Sequence, residues 1–321
     1  MFVHLFMIIL GFFLLIYGAD LLVKGASDIA KKFHISEIVI GLTIVSLGTS
    51  LPELMITLVS SSDQTHELVI GNVIGSNLCN LLLILGVLLI IKPFQFKDST
   101  RKVHLPLLLF LNISILIMAV TSFSKPSFMI TFKEGLFLLV IAFIYLAIPF
   151  VQHLKNNTTS LENVSNSDVS QDTLLKSIIL ILLGGFALKY GGDFVVDYSI
   201  NLAHLYNISE TVIGLTVVAL GTSLPELITS IVAVAKGNKH IAEGNIFGSC
   251  IINFSLILGF GVTISNLILD KSAIENLILL LGSTLLIWVS SFYYQNHPLK
   301  RAHGLILLLI FGVYILHLFT I

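Results

Sequence analysis

Long apolar runs separated by short polar segments fill most of the chain. A helix needs about 20 apolar residues to cross the hydrocarbon core of a bilayer, and ten stretches have this character. Their residues are apolar on all sides and do not alternate, which favours helices over the strands of a membrane barrel. We therefore predict an all-α membrane protein with ten transmembrane helices, near residues 4–24, 37–60, 68–91, 104–122, 132–152, 174–196, 210–235, 241–265, 273–292 and 303–320.

The composition supports a membrane protein. Hydrophobic residues make up 56% of the chain and charged residues only 11%, too few for the surface of a soluble protein of 321 residues. The first apolar run lacks the basic start and cleavage site of a signal peptide, so we expect a retained helix. Cys79 and Cys250 occupy non-equivalent positions in the repeat described below, and we expect neither a disulfide nor a metal site there. The net charge of −1 gives no indication of a nucleic-acid partner.

The orientation follows from the distribution of Lys and Arg. Thirteen of the 17 fall in loops on one side of the predicted bundle, and the other four (Lys125, Lys133, Lys189 and Lys271) fall on the opposite side. Cytoplasmic loops carry the excess of Lys and Arg. We therefore expect a cell-membrane protein with both termini outside and the polar segment 153–172 in the cytoplasm.

A long motif occurs twice. The segment Gly41–Glu53 (GLTIVSLGTSLPE) returns as Gly214–Glu226 (GLTVVALGTSLPE), an offset of 173 residues. With this offset, residues 41–86 and 214–259 are identical at 22 of 46 positions. The identities include Gly, Pro, Ser, Thr, Asn and Glu, which shape the backbone or bind ions.

The repeat indicates two inverted halves. Five predicted spans separate each element from its copy, and an odd number reverses its direction through the bilayer. Inverted repeats with interrupted hydrophobic segments are typical of secondary transporters that bind their substrate near the midplane. We therefore divide the chain into a first five-helix repeat (1–152), a linker expected to be loop or disordered (153–172) and a second five-helix repeat (173–321).

Glu53 and Glu226 lie inside apolar spans, where a carboxylate is costly and usually functional. Pro52 and Pro225 precede them and have no N–H to donate, so the helix is expected to open just before each glutamate. Freed carbonyls at membrane depth are tolerated where they line a cavity or bind a cation.

Further oxygen donors accompany the glutamates. Hydroxyls lie within one turn of each glutamate, and a Ser and an Asn four residues apart share one face of the following span. These donors are Thr49, Ser50, Ser76 and Asn80 in the first repeat and Thr222, Ser223, Ser249 and Asn253 in the second.

The donor set consists of oxygen alone. Six to eight flexible oxygens suit Ca²⁺ and subsets of them suit Na⁺, whereas zinc or copper would call for His or Cys. Two glutamates carry a formal charge of −2, which one Ca²⁺ neutralises, and two or three Na⁺ could replace that Ca²⁺. Competition for shared ligands would couple the two ions.

The paired motifs Gly-Thr-Ser-Leu-Pro-Glu and Gly-Asn-x-x-Gly-Ser-x-x-x-Asn closely resemble the alpha repeats of the cation/calcium exchanger superfamily, in particular the prokaryotic sodium/calcium exchangers. The resemblance extends over essentially the whole chain. It implies ion ligation by the donors named above and by the carbonyls of Ser46 and Ala219. It also implies that Glu53 and Glu226, with the carbonyls of Thr49 and Thr222, hold Ca²⁺, that flanking sites take Na⁺, and that spans 1 and 6 slide to alternate access.

One position departs from part of that family. Some members have Asp where this chain has Asn253, and the potassium-dependent branch typically does. Asn at both 80 and 253 argues against potassium coupling and removes one proton acceptor. The linker of about 20 residues is also too short for the calcium-sensing domains of animal exchangers.

We therefore expect an antiporter that exchanges Na⁺ for Ca²⁺, electrogenically at three to one, with no cofactor and no obligate protein partner. A proton-coupled Ca²⁺ antiporter remains open, because closely spaced buried glutamates could carry protons. A cation channel is a further alternative, since carbonyls and carboxylates also build selectivity filters. We do not expect an enzyme, because no base is placed beside a serine in the repeats.

Overall fold

The structure is a computed structural model that describes residues 2–33, 35–63, 65–121, 128–159, 171–206, 219–295 and 297–318. This part of the chain is almost entirely helical. The helices are α1 (Phe2–Lys32), α2 (Glu37–Thr49), α3 (Leu51–Ser62), α4 (His66–Ile91), α5 (Leu105–Thr121), α6 (Phe132–Thr159), α7 (Gln171–Leu205), α8 (Leu224–Ala235), α9 (Lys239–Ile264), α10 (Lys271–Tyr293) and α11 (Arg301–Leu318).

Most of these helices can cross a bilayer. Seven are long and apolar enough, and the bent pair α2 and α3 makes an eighth span. Large side chains such as Phe6, Ile9 and Phe13 of α1 are exposed on the bundle surface, as lipid-facing residues are. Residues 210–218 of the predicted seventh span lie outside the described residues, and α8 is its second half. The ten-helix count and the two-repeat division therefore stay predictions.

The linker is more helical than predicted. Helix α6 continues to Thr159 and α7 begins at Gln171, so both ends of the polar stretch 153–172 are helical, where a loop was predicted. Extending an existing helix avoids the cost of nucleation, and Asn and Thr lower helix propensity only by tenths of a kcal/mol. Residues 160–170 of the predicted linker lie outside the described part of the chain.

Helices α1 and α7 cross at two pairs of glycines. A Cβ on Gly11 would lie 2.8 Å from the carbonyl oxygen of Gly191, and one on Gly184 would lie 2.7 Å from that of Gly18. Only glycine permits such a close backbone approach. An offset of 173 converts Gly11 into Gly184 and Gly18 into Gly191, so the two contacts are related by the repeat and the pair has approximate two-fold symmetry.

Helices α4 and α9 form the centre of the bundle. Within the most apolar 18 residues of each helix, 72% of α4 and 83% of α9 is buried. The corresponding share in the other five candidate spans is 22–39%. Asn77 of α4 and Cys250 of α9 are also related by the offset of 173, and the Asn77 Nδ2 lies 3.2 Å from the Cys250 carbonyl oxygen. The approximate two-fold axis therefore passes between α4 and α9 at this contact.

Short strands join the two halves at one end of the bundle. Strands β1 (Phe128–Ile130) and β2 (Leu267–Leu269) pair antiparallel, with Met129 opposite Ile268. At the other end, Phe94 forms an isolated bridge with Leu299.

The two ends of the bundle differ in how the paired helices α1 and α7 are held. We call the end with the turn Lys236–Asn238 the basic face and the end with Asp63 the opposite face. At the basic face α1 packs along α8, and Lys236 Nζ lies 2.5 Å from an oxygen of Asp20. Asn238 Nδ2 also donates to Ser27 Oγ at 2.7 Å. These contacts fasten α1 to the turn after α8.

The opposite face lacks an equivalent ion pair within the described residues. The offset of 173 converts Asp20 and Lys236 into Asp193 and Asp63, two residues of like charge. Asp193 pairs instead with Lys189 of its own helix, at 2.6 Å. A cavity of about 270 Å³ lies here between α3 and α7, and its lining includes Met55, Asp193 and Asp197.

Candidate cation-binding site

Both proline-containing segments break the helix just before the glutamate, as predicted. Ser50 (φ −86°, ψ 11°) separates α2 from α3, whose axes differ by 48°. Ser223 has nearly the same backbone angles (φ −88°, ψ 3°) before α8. Pro52 and Pro225 lie in the first turn of the helices that follow, where a missing N–H costs no hydrogen bond.

Glu53 and Glu226 lie in the first turns of α3 and α8, and each is only 1% exposed. The first turn of a helix presents unpaired N–H groups and the positive end of the helix dipole. Each broken helix therefore places a carboxylate where the backbone favours negative charge, deep inside the bundle.

The two repeats meet at these glutamates. Ser50 Oγ of the first repeat donates to Glu226 Oε1 of the second at 3.0 Å, and Thr49 lies beside the same carboxylate. Ser76 lies beside Glu53, which is close enough to Glu226 for their charges to interact. The structure thus gathers these predicted donors into one buried cluster.

Among the described residues, many oxygens of the predicted donors are buried and have no hydrogen-bond partner. A buried polar atom left without a partner costs about 1–3 kcal/mol, so several together indicate a missing ligand. Seven of the predicted donor residues contribute eight such atoms: both carboxylate oxygens of Glu53, Oε2 of Glu226, Oγ of Ser76, Ser223 and Ser249, and Oδ1 of Asn80 and Asn253. All eight are oxygens, which fits Na⁺ or Ca²⁺ as the ligand.

Four other predicted donors contribute no atom to this set of eight oxygens. The Thr49 hydroxyl donates to Asn245 Oδ1 at 3.0 Å, so this side chain also ties the first repeat to the second. The Ser46 hydroxyl donates to the Leu42 carbonyl, and the Ser46 carbonyl already accepts from Ser50 N at 3.0 Å. Thr222 is half-buried and lines the cavity between α3 and α7. Ala219 begins the short helical turn Ala219–Gly221.

Asn72 and Asn245 support the broken helices and were missed as functional residues. Asn72 Nδ2 lies 3.0 Å from the Glu53 carbonyl oxygen and 3.2 Å from Thr57 Oγ1. Asn245 Nδ2 lies 3.3 Å from the Glu226 carbonyl oxygen and 3.0 Å from Ser230 Oγ. The signal for both was the repeated Gly-Asn pair, since the two residues are separated by the offset of 173.

Wide π-helical turns interrupt both central helices. They span Cys79–Ile84 in α4 and Asn253–Ile257 in α9, and thus include Asn80 and Asn253. Such turns are rare and frequently occur at functional sites.

Comparison with known proteins identifies the family. The sequence model for the family described as "Sodium/calcium exchanger protein" matches residues 3–151 and 176–320, nearly the whole chain. The chain belongs to the sodium/calcium exchanger family.

Several relatives of this exchanger extend over most of its length. The sodium/calcium exchanger MaX1 of Methanosarcina acetivorans is 33% identical over 92% of this chain and 93% of its own. The inner membrane protein YrbG of Escherichia coli is 36% identical over 81% of this chain and 79% of its own. The putative antiporter CaxA of Alkalimonas amylolytica is 30% identical over 92% of each chain. The exchanger is therefore an integral membrane protein related to antiporters.

Solved structures of the sodium-calcium exchanger NCX_Mj share the fold. One of them, soaked with Na⁺ and zero Ca²⁺, superimposes with a TM-score of 0.83 at 30% identity and covers 97% of each chain. The predicted family resemblance is confirmed by the sequence and the structural comparisons together.

Replacement of Asn245 by alanine should destabilise the protein. It removes the hydrogen bonds of Asn245 with the Glu226 carbonyl, the Ser230 hydroxyl and the Thr49 hydroxyl, at a cost of about 1–3 kcal/mol. We expect a lower thermal unfolding temperature in detergent for Asn245→Ala and for the equivalent Asn72→Ala. Asn201→Ala, on the exposed side of α7, is the matched control and should change little. Equal unfolding temperatures for all three variants would contradict the supporting role.

Proposed function

We propose that this exchanger moves Ca²⁺ against Na⁺ through the buried oxygen cluster. The observation that carries the proposal is that eight buried oxygens of the predicted donor residues have no hydrogen-bond partner among the described residues. A cation supplies what these oxygens lack, and membership of the sodium/calcium exchanger family supports Na⁺ and Ca²⁺ as the ions.

The two glutamates are the proposed Ca²⁺ ligands. Both carboxylates are buried and close enough to interact, so a divalent cation between them would offset their mutual repulsion. The carbonyls of Thr49 and Thr222 complete the proposed Ca²⁺ site. Flanking Na⁺ sites use the remaining oxygens, those of Ser46, Ser50, Ser76 and Asn80 in one repeat and Ala219, Ser223, Ser249 and Asn253 in the other.

Shared ligands couple the two ions. Glu53 and Glu226 can bind either one Ca²⁺ or the two to three Na⁺ that replace it, and occupancy by one ion removes ligands from the other. An antiporter requires this mutual exclusion, since simultaneous binding would allow the ions to move together.

Alternating access is proposed to involve α1 and α7 moving together past the core. The two helices are locked to each other by their glycine contacts. In the structure, α1 is fastened at the basic face by Asp20 and Lys236, whereas a cavity separates α7 from α3 at the opposite face. Rocking or sliding of the pair would close this cavity and open the equivalent position at the basic face.

The energetics favour three Na⁺ per Ca²⁺. Expelling Ca²⁺ against a 10⁴-fold gradient and −100 mV costs about 5.5 plus about 4.6 kcal/mol. Each Na⁺ entering down a tenfold gradient yields about 3.7 kcal/mol, so two supply about 7.4 and three about 11. Three Na⁺ therefore suffice and two do not, and the exchange is proposed to be electrogenic.

The remaining proposals concern location and partners. The distribution of Lys and Arg supports the cell membrane, with both termini outside and the segment 153–172 in the cytoplasm. We propose no cofactor, no enzymatic activity and no obligate protein partner.

A second candidate function is proton-coupled Ca²⁺ antiport. Two neighbouring buried carboxylates favour it, because such a pair can bind and release protons. Uptake of ⁴⁵Ca²⁺ into proteoliposomes separates the candidates. Uptake driven by an outward Na⁺ gradient supports sodium coupling, and uptake driven only by a pH gradient would replace it with proton coupling.

Substitution of either glutamate should abolish exchange. Glu53→Gln and Glu226→Gln each remove a charge but keep the side-chain shape, so we expect Na⁺-driven ⁴⁵Ca²⁺ uptake to fall to the level of empty liposomes while the protein still folds. Glu275→Gln is the matched control, because Glu275 lies on α10 and is part of a surface ion pair. Retained Ca²⁺ uptake in both glutamate variants would overturn the proposed site.

Membrane voltage should change the rate if three Na⁺ exchange for one Ca²⁺. One net positive charge then crosses per cycle, worth about 2.3 kcal/mol per 100 mV. With a potassium gradient and valinomycin, an inside-positive potential should slow Na⁺-driven Ca²⁺ efflux and an inside-negative potential should speed it. A rate that ignores voltage in both directions would exclude this stoichiometry.

A lysine in place of Asp63 should favour closure of the opposite face. Asp63→Lys recreates there the ion pair that Lys236 makes with Asp20, because Asp193 is the equivalent of Asp20. An exposed pair contributes about 0.2–1 kcal/mol, so we expect an impermeant maleimide to label a Met55→Cys variant up to about fivefold more slowly.

Met55 is suited to this assay because it lines the cavity, while the native Cys79 and Cys250 are buried. Asp63→Asn controls for the loss of negative charge alone. Equal labelling rates in the Asp63→Asn and Asp63→Lys backgrounds would contradict a role for the ion pair.

A further inference from the structure

Asn77 is a fully buried asparagine of α4 that is not among the proposed ion ligands. It follows Ser76 directly and faces the second repeat across the approximate two-fold axis. Its side chain makes two hydrogen bonds there. Asn77 Nδ2 donates to the Cys250 carbonyl oxygen at 3.2 Å, and Asn77 Oδ1 accepts from Asn253 Nδ2 at 3.1 Å.

These contacts fix the direction of both amides. A backbone carbonyl can only accept, so Asn77 must turn its NH₂ group toward Cys250. Its oxygen therefore faces Asn253, and because that oxygen can also only accept, Asn253 must present its own NH₂ group to Asn77. The hydrogen-bonding chemistry of the Cys250 carbonyl and of the two carboxamides thus determines which way each amide group faces.

The orientation leaves the Asn253 oxygen pointing away from Asn77. This Oδ1 is buried and has no hydrogen-bond partner among the described residues, like Ser249 Oγ and Glu226 Oε2. A reversed amide would instead present an NH₂ group to the cluster, and NH₂ repels a cation.

We propose that Asn77 is a positioning residue that holds the Asn253 amide with its oxygen toward the transported cation. This inference rests on the proposed function, since it assumes that the oxygen cluster binds Na⁺ and Ca²⁺. Asn77 does not touch the ion and acts through Asn253.

The residue of the second repeat that corresponds to Asn77 holds its neighbouring asparagine less strongly. The offset of 173 converts Asn77 into Cys250, which lies beside Asn80. A thiol is a weak donor and a weak acceptor, so it orients an amide less strongly than a carboxamide does. The Asn253 amide is therefore oriented by the carboxamide of Asn77, whereas Asn80 has a thiol, that of Cys250, at the equivalent position.

The test is a mutant cycle read out by equilibrium ⁴⁵Ca²⁺ binding to the purified full-length protein. Asn77→Leu keeps the approximate volume but removes both hydrogen bonds, so the Asn253 amide can reverse. We expect Ca²⁺ affinity to fall about tenfold, the order of one lost interaction with a charged group. In an Asn253→Ala background there is no amide to orient, and Asn77→Leu should change affinity less than about twofold.

A rescue variant distinguishes positioning from general structural damage. In an Asn253→Asp background both side-chain oxygens can bind a cation in either orientation, so Asn77→Leu should again cost less than about twofold. A merely structural role for Asn77 predicts the same loss in every background, because the Cys250 carbonyl is left unpaired in all of them. An undiminished tenfold loss in the Asn253→Ala background, or no loss in the native background, would overturn the proposal.

Two controls separate this inference from the proposed function. Asn112→Leu makes the same substitution at another fully buried asparagine, in α5, and should leave Ca²⁺ affinity unchanged. Wild-type protein that binds no Ca²⁺ would refute the proposed function itself. Wild-type binding with an unaffected Asn77→Leu variant would refute only the positioning role.

Discussion

The burial of two carboxylates inside a hydrophobic bundle is the constraint on which the rest of the structure depends. Glu53 and Glu226 lie almost without solvent contact, and an unpaired buried charge costs several kcal/mol even after relaxation. No Lys or Arg pairs with either of them among the described residues. The first turns of α3 and α8 and the Ser50 hydroxyl offset part of this cost, and the proposed cation would offset the rest.

The repeat places the same local arrangement in both halves of the chain. Each half breaks a helix at a proline, places a glutamate in the next turn and supports the break with an asparagine, Asn72 or Asn245. The two broken helices meet near the approximate two-fold axis, where Ser50 of the first half donates a hydrogen bond to Glu226 of the second. A site formed in this way would lie near the approximate two-fold axis, which suits the proposed alternating access.

Function also needs the symmetry to be broken. The ion pair of Asp20 and Lys236 fastens one face, and its counterpart at the other face consists of two acids. This difference lowers the energy of one conformation relative to its mirror arrangement. At the proposed site, Asn77 accepts a hydrogen bond from Asn253 whereas Cys250 lies beside Asn80, so the two equivalent asparagines have different partners.

Local signals in the sequence were sufficient to predict an all-helical membrane protein and the breaks before Glu53 and Glu226, whereas the ten-helix count and the ion-binding role of the donors stay predictions. A proline before a buried glutamate has the same local effect in any fold. The π turns, the hydrogen bonds of Asn77 and the difference between the faces could not be predicted, because each depends on which side chain arrives from another helix. The helical ends of segment 153–172 were missed because composition does not show how far an existing helix propagates.

The most direct test of the central claim is equilibrium binding of ⁴⁵Ca²⁺ to the purified protein as Na⁺ is raised at constant ionic strength. If both ions use the oxygens around Glu53 and Glu226, Na⁺ should displace Ca²⁺ completely and cooperatively, with a steeper dependence than one-for-one competition, whereas choline should not. Ca²⁺ that stays bound at saturating Na⁺ would show that the ions occupy separate sites and would contradict exchange through a shared cluster.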